Sequence, residues 1–214
     1  MKRIVLTLAT AAVLLATLPA QAKETVRRFT KQIPANGVSL VDLDFSVGQV
    51  NVDAIDGRDV QLDVQLQCRS GSDSCREAAQ KVRLVFSTDG GKLHVQIKDW
   101  PKLSHHGLEA VIRVQMPRNL ALTADLGVGQ MEIAGLEKDV KANLGVGQLT
   151  LTLPESAVAT VRADTGVGEA SLYAGGHHYD SAGLITRTLH WDQGTGTAKI
   201  SADCGVGEVD VRLR

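Results

Sequence analysis

The chain has 214 residues, 43% of them hydrophobic but only 3% aromatic, with 23 lysines and arginines against 24 aspartates and glutamates. That length suits one domain with a sizeable core. The balanced charge offers no basic field for nucleic acid, and with Trp100 and Trp191 as isolated rings, a sugar-stacking aromatic platform is disfavoured.

Lys2 and Arg3 open the chain, and residues 4–18 form an apolar stretch too short to span a bilayer. Ala20, Gln21 and Ala22 then form an Ala-x-Ala site. Residues 1–22 are therefore expected to be a secretory signal cut between Ala22 and Lys23, delivering a periplasmic or secreted protein. The residue immediately after the cut is Lys23, not a cysteine, which argues against a lipid anchor. The mature chain keeps 21 basic and 24 acidic residues. Residues 23–37 are polar and basic and read as a frayed leader that gains order near Ile33.

Residues 38–214 read as a single domain, with an antiparallel cap over 38–118 and repeat coils over 119–214. In the cap, alternation predicts strands at 39–54, 60–68, 82–87, 93–97 and 110–115. Asp89-Gly90-Gly91 is a hairpin turn. Cys68 and Cys75 bracket a short polar loop, and outside the cytoplasm that spacing predicts a disulfide. Ser74 and Glu77 have the form of a capping box, so one short helix is expected there.

The repeat is the dominant signal. Leu-Gly-Val-Gly-Gln occurs at 126–130 and again at 144–148. It returns as Thr-Gly-Val-Gly-Glu at 165–169 and Cys-Gly-Val-Gly-Glu at 204–208, with a degenerate first copy, Phe-Ser-Val-Gly-Gln, at 45–49. A fixed period near 20 residues marks a stacked-repeat protein. Apolar residues alternate on both sides of each phrase, and the phase slips by one residue at Gly-Gln or Gly-Glu, as at a corner between two strands of one coil. Gly48, Gly129, Gly147, Gly168 and Gly207 are the expected corners. This reading puts Val128, Val146, Val167 and Val206 in a buried column and Gln130, Gln148, Glu169 and Glu208 in an outer one, about 4.8 Å apart. The expected fold is all-β, a single-stranded parallel β-helix (a β-solenoid), right-handed by the crossover rule, with an antiparallel strand cap and one short helix. A flat antiparallel meander is the competing fold. Gly168 and Gly207 lie 39 residues apart, so either a worn coil or a hairpin excursion fills 175–195; the worn coil is the preferred reading. The chain should end on an open-edged strand at 209–214.

The segment Ile112-Arg113-Val114-Gln115-Met116-Pro117-Arg118-Asn119-Leu120, followed by the first two full copies of the repeat, resembles the bacterial adhesin-like family of unknown function (the DUF4097 type) over residues 38–214. The resemblance implies glycine-punctuated parallel coils. It carries no catalytic or binding residues to this chain. Valine between the glycines departs from the small polar residue commoner in that family.

Candidate chemistry is sparse. Asp125, Asn143, Asp164 and Asp203 precede the Gly-Val pairs by two residues and would form an outward column. A cation ladder or acidic cleft is one reading; polar side chains that keep the face wet is the better one, since unpaired carboxylates that close repel. His105-His106 and His177-His178 are loop histidines without matching ligands. Cys204 occupies the core slot of Leu126 and Leu144 and reads as a buried thiol. Asp125, Asp164, Asp203, His177 and His178 are the contact-surface candidates. No nucleophile–base or metal-ligand spacing is present, so no cofactor, metal or catalytic residue is assigned. The expectation is a secreted, non-enzymatic cell-envelope module, adhesin-like or scaffolding, that meets an envelope protein or surface glycan and self-associates weakly end to end. The alternatives are a polysaccharide-active enzyme on a pectate-lyase-like coil, or a purely structural self-stacking element.

Overall fold

A computed structural model describes residues 23–69, 71–101, 107–183 and 186–214. The expected signal and its cleavage site fall largely outside these residues, as do His105 and His106. The described strands are β1 (Lys23–Pro34), β2 (Leu40–Ile55), β3 (Asp59–Arg69), β4 (Arg83–Asp89), β5 (Lys92–Lys98), β6 (Glu109–Pro117), β7 (Ala121–Ala134), β8 (Val140–Leu153), β9 (Val158–Ala174), β10 (His177–Asp180), β11 (Arg187–Trp191) and β12 (Ala198–Leu213), with one helix, α1 (Asp73–Lys81). They form one open, mixed sheet.

The five repeat-bearing strands run parallel in the order β2-β7-β8-β12-β9, with Gly48, Gly129, Gly147, Gly207 and Gly168 in register. Each strand must be sharply bent. Straight, the 14 residues of β7 would run about 46 Å, yet the link to β8 is residues 135–139, which reach roughly 20 Å at full stretch. The bend at the glycines divides each strand into two halves. The first halves continue into β5 and β4 on one side and β11 on the other. The second halves continue into β6, β3 and β1 on one side and β10 on the other. The core is the inward alternation of both halves: Leu122, Ala124 and Leu126, then Met131 and Ile133, and their equivalents in the neighbouring strands.

The corner explains the glycines. A Cβ on Gly129 would lie 1.8 Å from the Gly48 carbonyl oxygen, one on Gly147 1.8 Å from that of Gly129, and one on Gly207 1.8 Å from that of Gly147. These residues also have φ near +140°, which side chains disfavour. The preceding glycines are nearly as tight, Gly145 lying 2.4 Å by the same measure from the Gly127 oxygen.

Several expectations are corrected. The valines are not a buried column: Val128, Val146, Val167 and Val206 are 47–57% exposed. The phase slips across the glycine pair, between Leu126 and Met131, and turns the valine outward. The worn coil is instead an antiparallel excursion, with β10 pairing the end of β9 and β11 pairing its beginning. The last strand is no edge: β12 lies between β8 and β9, parallel to both. The first copy, β2, is itself a repeat strand and pairs in parallel with β5 and β6 as well as β7, so the cap is not wholly antiparallel. The supposed leader is a strand along most of its length, β1, paired to β3. From it, the Arg27 guanidinium donates to the carbonyls of Ala79, Gln80 and Val82 at 2.6–3.0 Å. These include carbonyls that the end of α1 would otherwise leave unpaired. The helix itself starts slightly earlier than the Ser74 box, with Ser72 at the N-cap and no side-chain cap bond. Cys68 and Cys75 are bridged, and Cys75 and Ala79 are the helix residues that enter the core.

Candidate functional site

Because the five repeat strands are in register, each outward position becomes a row across them. Ahead of the corner runs Asp44, Asp125, Asn143, Asp203, Asp164. At the corner runs Val47, Val128, Val146, Val206, Val167, and after it Gln49, Gln130, Gln148, Glu208, Glu169. Along the first row runs an open groove of about 740 Å³, lined by that row and by Ser46, Gly127, Gly145, Gly205 and Gly166, with the valines next in each strand but outside its lining.

The carboxylate row is only partly neutralised. The Asn143 amide donates to Asp125 Oδ1 at 2.6 Å, which separates Asp125 from Asp203 with a neutral neighbour. The Ser201 hydroxyl donates to Asp203 at 3.0 Å. Arg162 Nε meets Asp164 Oδ2 at 2.6 Å, and that bond, with the carboxylate's charge, raises the already high guanidinium pKa. Asp164 Oδ1 and the buried Thr165 hydroxyl have no hydrogen-bond partner. Among the described residues, Asp44, Asp125 and Asp203 form no ion pair.

The amide row is a chain of side-chain bonds. Gln49 donates to Gln130 and Gln130 to Gln148, each at 3.4 Å, and Gln148 donates to Glu208 at 3.0 Å. Glu169, beside Glu208, is met by Arg187 of β11 at 3.4 Å. Arg187, Glu169, Glu208 and Asp210 also line a second cleft of about 470 Å³ with His178 and Asp180, and His178 Nε2 lies 2.9 Å from Asp180 Oδ1. Of the contact-surface candidates, then, Asp125, Asp164 and Asp203 share one row, and His178 joins the far end of the amide row. His177 stands apart from both, its ring edge-on to Tyr179 at 6.5 Å.

Cys204 is a free, buried thiol in the core slot. Burial pushes its pKa up against the opposing pull of hydrogen bonds at Gly147 and Val206, so it is a thiol at neutral pH and a poor nucleophile. Among the described residues, no group of three His, Cys, Asp or Glu side chains is placed to hold a metal ion.

Two polar features were not evident from sequence. Asp42 is buried on β2 between Lys92 Nζ at 2.6 Å and His94 Nδ1 at 2.8 Å, on the parallel neighbour β5. Only the pairing of β2 with β5 brings them together. On the outer face of the first halves, Lys141, Arg162, His190 and Lys199 border a groove of about 740 Å³ over Leu122 and Ile200. Lys141 pairs with Ser201, two residues beyond Lys199 on β12, so only the placement of β12 beside β8 brings the two lysines to one groove.

No protein-family model matches the chain, and no curated protein is similar to it at a significant level. Among solved structures, a candidate cell adhesion protein from Clostridium sporogenes is similar over 88% of this chain and 99% of its own, at 13% identity and a TM-score of 0.54. Candidate adhesins from Bacteroides fragilis (13% identity, 86% of this chain and 97% of that one, TM-score 0.28) and Parabacteroides merdae (8% identity, 86% and 81%, TM-score 0.26) superpose loosely. At such identities the first likeness speaks to fold alone.

Proposed function

We propose that the protein is a non-enzymatic, adhesin-like binding module of the cell envelope, its repeat strands stacked as the coils of a β-solenoid and its bent corner turned to a partner. The observation that carries this reading is the corner itself. Glycines too crowded for any Cβ fix three rows of identical or near-identical side chains in register, and those rows face solvent. Such a surface is preorganised for contact, which lowers the ordering cost of binding. The fold shared with the Clostridium protein and the Cys68–Cys75 bridge are compatible with life outside the cytoplasm. Mature protein beginning at Lys23 in the periplasmic fraction, seen by mass spectrometry, would support the location; retention of residues 1–22 would oppose it.

The test of binding without turnover offers mature protein polygalacturonate, alginate and peptidoglycan fragments, with and without calcium, and follows unsaturated products and reducing ends. In parallel, immobilised protein is offered envelope extract. A retained partner and no products support the reading. A rate that vanishes in Asp125→Ala or Asp164→Ala would make the acidic row catalytic and replace it. Neither partner nor rate would shift the role to structure.

A further inference from the structure

We propose, resting on that binding reading, that the corner groove takes an extended peptide segment of alternating cationic and aliphatic residues, with the aliphatic side chains on the valine ridge and the cations on the row of Asp44, Asp125 and Asp203. The crowding at the corner demands the glycines but not the valines. An exposed strand position is served as well by threonine, which is equally β-branched. Yet all five copies carry valine, and the four full copies leave it about half exposed. These four, with the partly buried Val47 at one end, make an apolar line about 19 Å long at strand spacing, and contiguous exposed apolar surface marks an interaction site.

The surroundings choose the partner's charge. Asp44, Asp125 and Asp203 on one flank and Glu208 on the other are in no ion pair among the described residues, while of the cations on the flanks Arg162 and Arg187 are engaged by Asp164 and Glu169, and Lys141 and Lys199 stand two and four residues further from the corner than the acidic row. The carboxylates flanking the valines repel an anionic lipid surface. They also oppose a second copy, because a two-fold contact would bring one acidic flank against the other. A cationic partner is complementary. The groove's shape chooses an extended one. Glycine and serine line it, so a backbone can lie close; side chains of an extended chain alternate between opposite sides, one set meeting the carboxylates of the groove and the other turned to the exposed valine ridge that directly follows the glycines in each strand. About six residues cover the groove at 3.3 Å each.

The probe is a fluorescent hexapeptide of alternating lysine and leucine, with lysine–serine and glutamate–leucine versions as comparisons, followed by polarisation against mature protein at low and high salt. Binding by the lysine–leucine peptide is expected to exceed that of either comparison by about tenfold or more and to weaken as salt rises. The triple variant Val128→Thr, Val146→Thr, Val206→Thr should lose about tenfold or more of it, and Asp125→Asn with Asp203→Asn should lose as much together with most of the salt dependence. Should the triple variant melt early, amide-exchange protection of wild-type protein by the peptide decides instead: protection confined to 125–130, 143–148 and 203–208 supports the proposal, and protection elsewhere overturns it. Absent binding, binding indifferent to the threonines, or equal binding of the glutamate peptide also overturns it. So does a dimer in sedimentation, or attachment to phosphatidylcholine vesicles, that the triple variant abolishes. An envelope partner retained equally by wild-type and triple variant would leave the binding reading standing and remove only this one.

Discussion

Gly147→Ala should be among the most damaging single substitutions in the protein, although it adds one methyl group. Gly147 sits at φ +141°, and its added Cβ would lie 1.8 Å from the Gly129 oxygen and 2.9 Å from the Gly129 carbonyl carbon. The disfavoured φ alone costs about 1–2 kcal/mol. To bring the methyl to contact distance the two strands must part by well over an ångström. Gly147 is also clasped from the other side, since a Cβ on Gly207 would meet the Gly147 oxygen at the same 1.8 Å, so the strand cannot retreat. Losing one or two ladder bonds at about 1 kcal/mol each brings the total to roughly 2–4 kcal/mol, a large share of the 5–15 kcal/mol typical of a domain. Gly37→Ala is the matched comparison: φ is +76° but nothing lies within 4 Å of its Cβ, so only the conformational part, about 1–2 kcal/mol, applies. Urea unfolding followed by far-ultraviolet circular dichroism measures both. Equal losses in the two variants would refute the argument that crowding between stacked corners, beyond backbone angle, dictates the glycines.

Peptide mapping should find Cys68 joined to Cys75 and Cys204 free, and Cys75→Ala should lower stability by about 2–3 kcal/mol for so short a loop; Cys204 in a mixed bridge would contradict its place in the core. Desolvation tends to raise the Asp42 carboxyl, but bonds from Lys92 and His94 outweigh it and hold the pKa below its ordinary 3.8. Its stabilising contribution is therefore complete above that value and lost as pH falls through the lowered one, so the acid limb of wild-type stability should be shallower in Asp42→Asn, as parallel urea titrations between about pH 2 and 7 would reveal. Deleting 209–214 should abolish cooperative melting, because it removes the second half of a strand paired on both sides; a truncated protein that still melts cooperatively would speak against the central position of β12.

How much of this was legible depends on how local the signal is. The cap strands, the helix and the disulfide came through because alternation, turn residues and a seven-residue cysteine spacing are short-range facts. So did the parallel register, because copies of one phrase can satisfy each other's crowding only when glycine lies over glycine. The order of the copies was not legible. β9 and β12 both carry Gly-Val-Gly-Glu, and at the corner either phrase would fit equally well beside Gly147 of β8; what decides is the segment between them. Leu189 and Trp191 bury themselves along the first half of β9, and β10 pairs its second half, so β9 is covered on its outer edge and only the inner side remains for β12. Residues 175–195 carry no alternation strong enough to show this. Asp42 was missed for a related reason, since Lys92 and His94 stand some 50 residues away and meet it through a pairing no motif announces.

The outward valine turns on the same glycine pair. Counting alternation forward from Leu122, Ala124 and Leu126 puts Val128 inside. Counting backward from Ile133 and Met131 puts Gly129 inside and Val128 out. Both counts cannot hold, and glycine, having no side chain, does not declare its face. Packing decides between them. Position 129 is where the chain comes nearest its neighbour, so near that a Cβ would lie 1.8 Å from the Gly48 oxygen, and the backward count is the one that places this residue on the inside of the bend. The forward count fails because a strand turning through a tight corner needs one residue more on its outside than on its inside, and at each corner that extra residue is the valine. Its exposure is thus a consequence of the bend, but its apolar character is not, since nothing in the bend distinguishes valine from threonine. The glycines answer to the fold, and the valines between them answer to whatever meets the corner from outside.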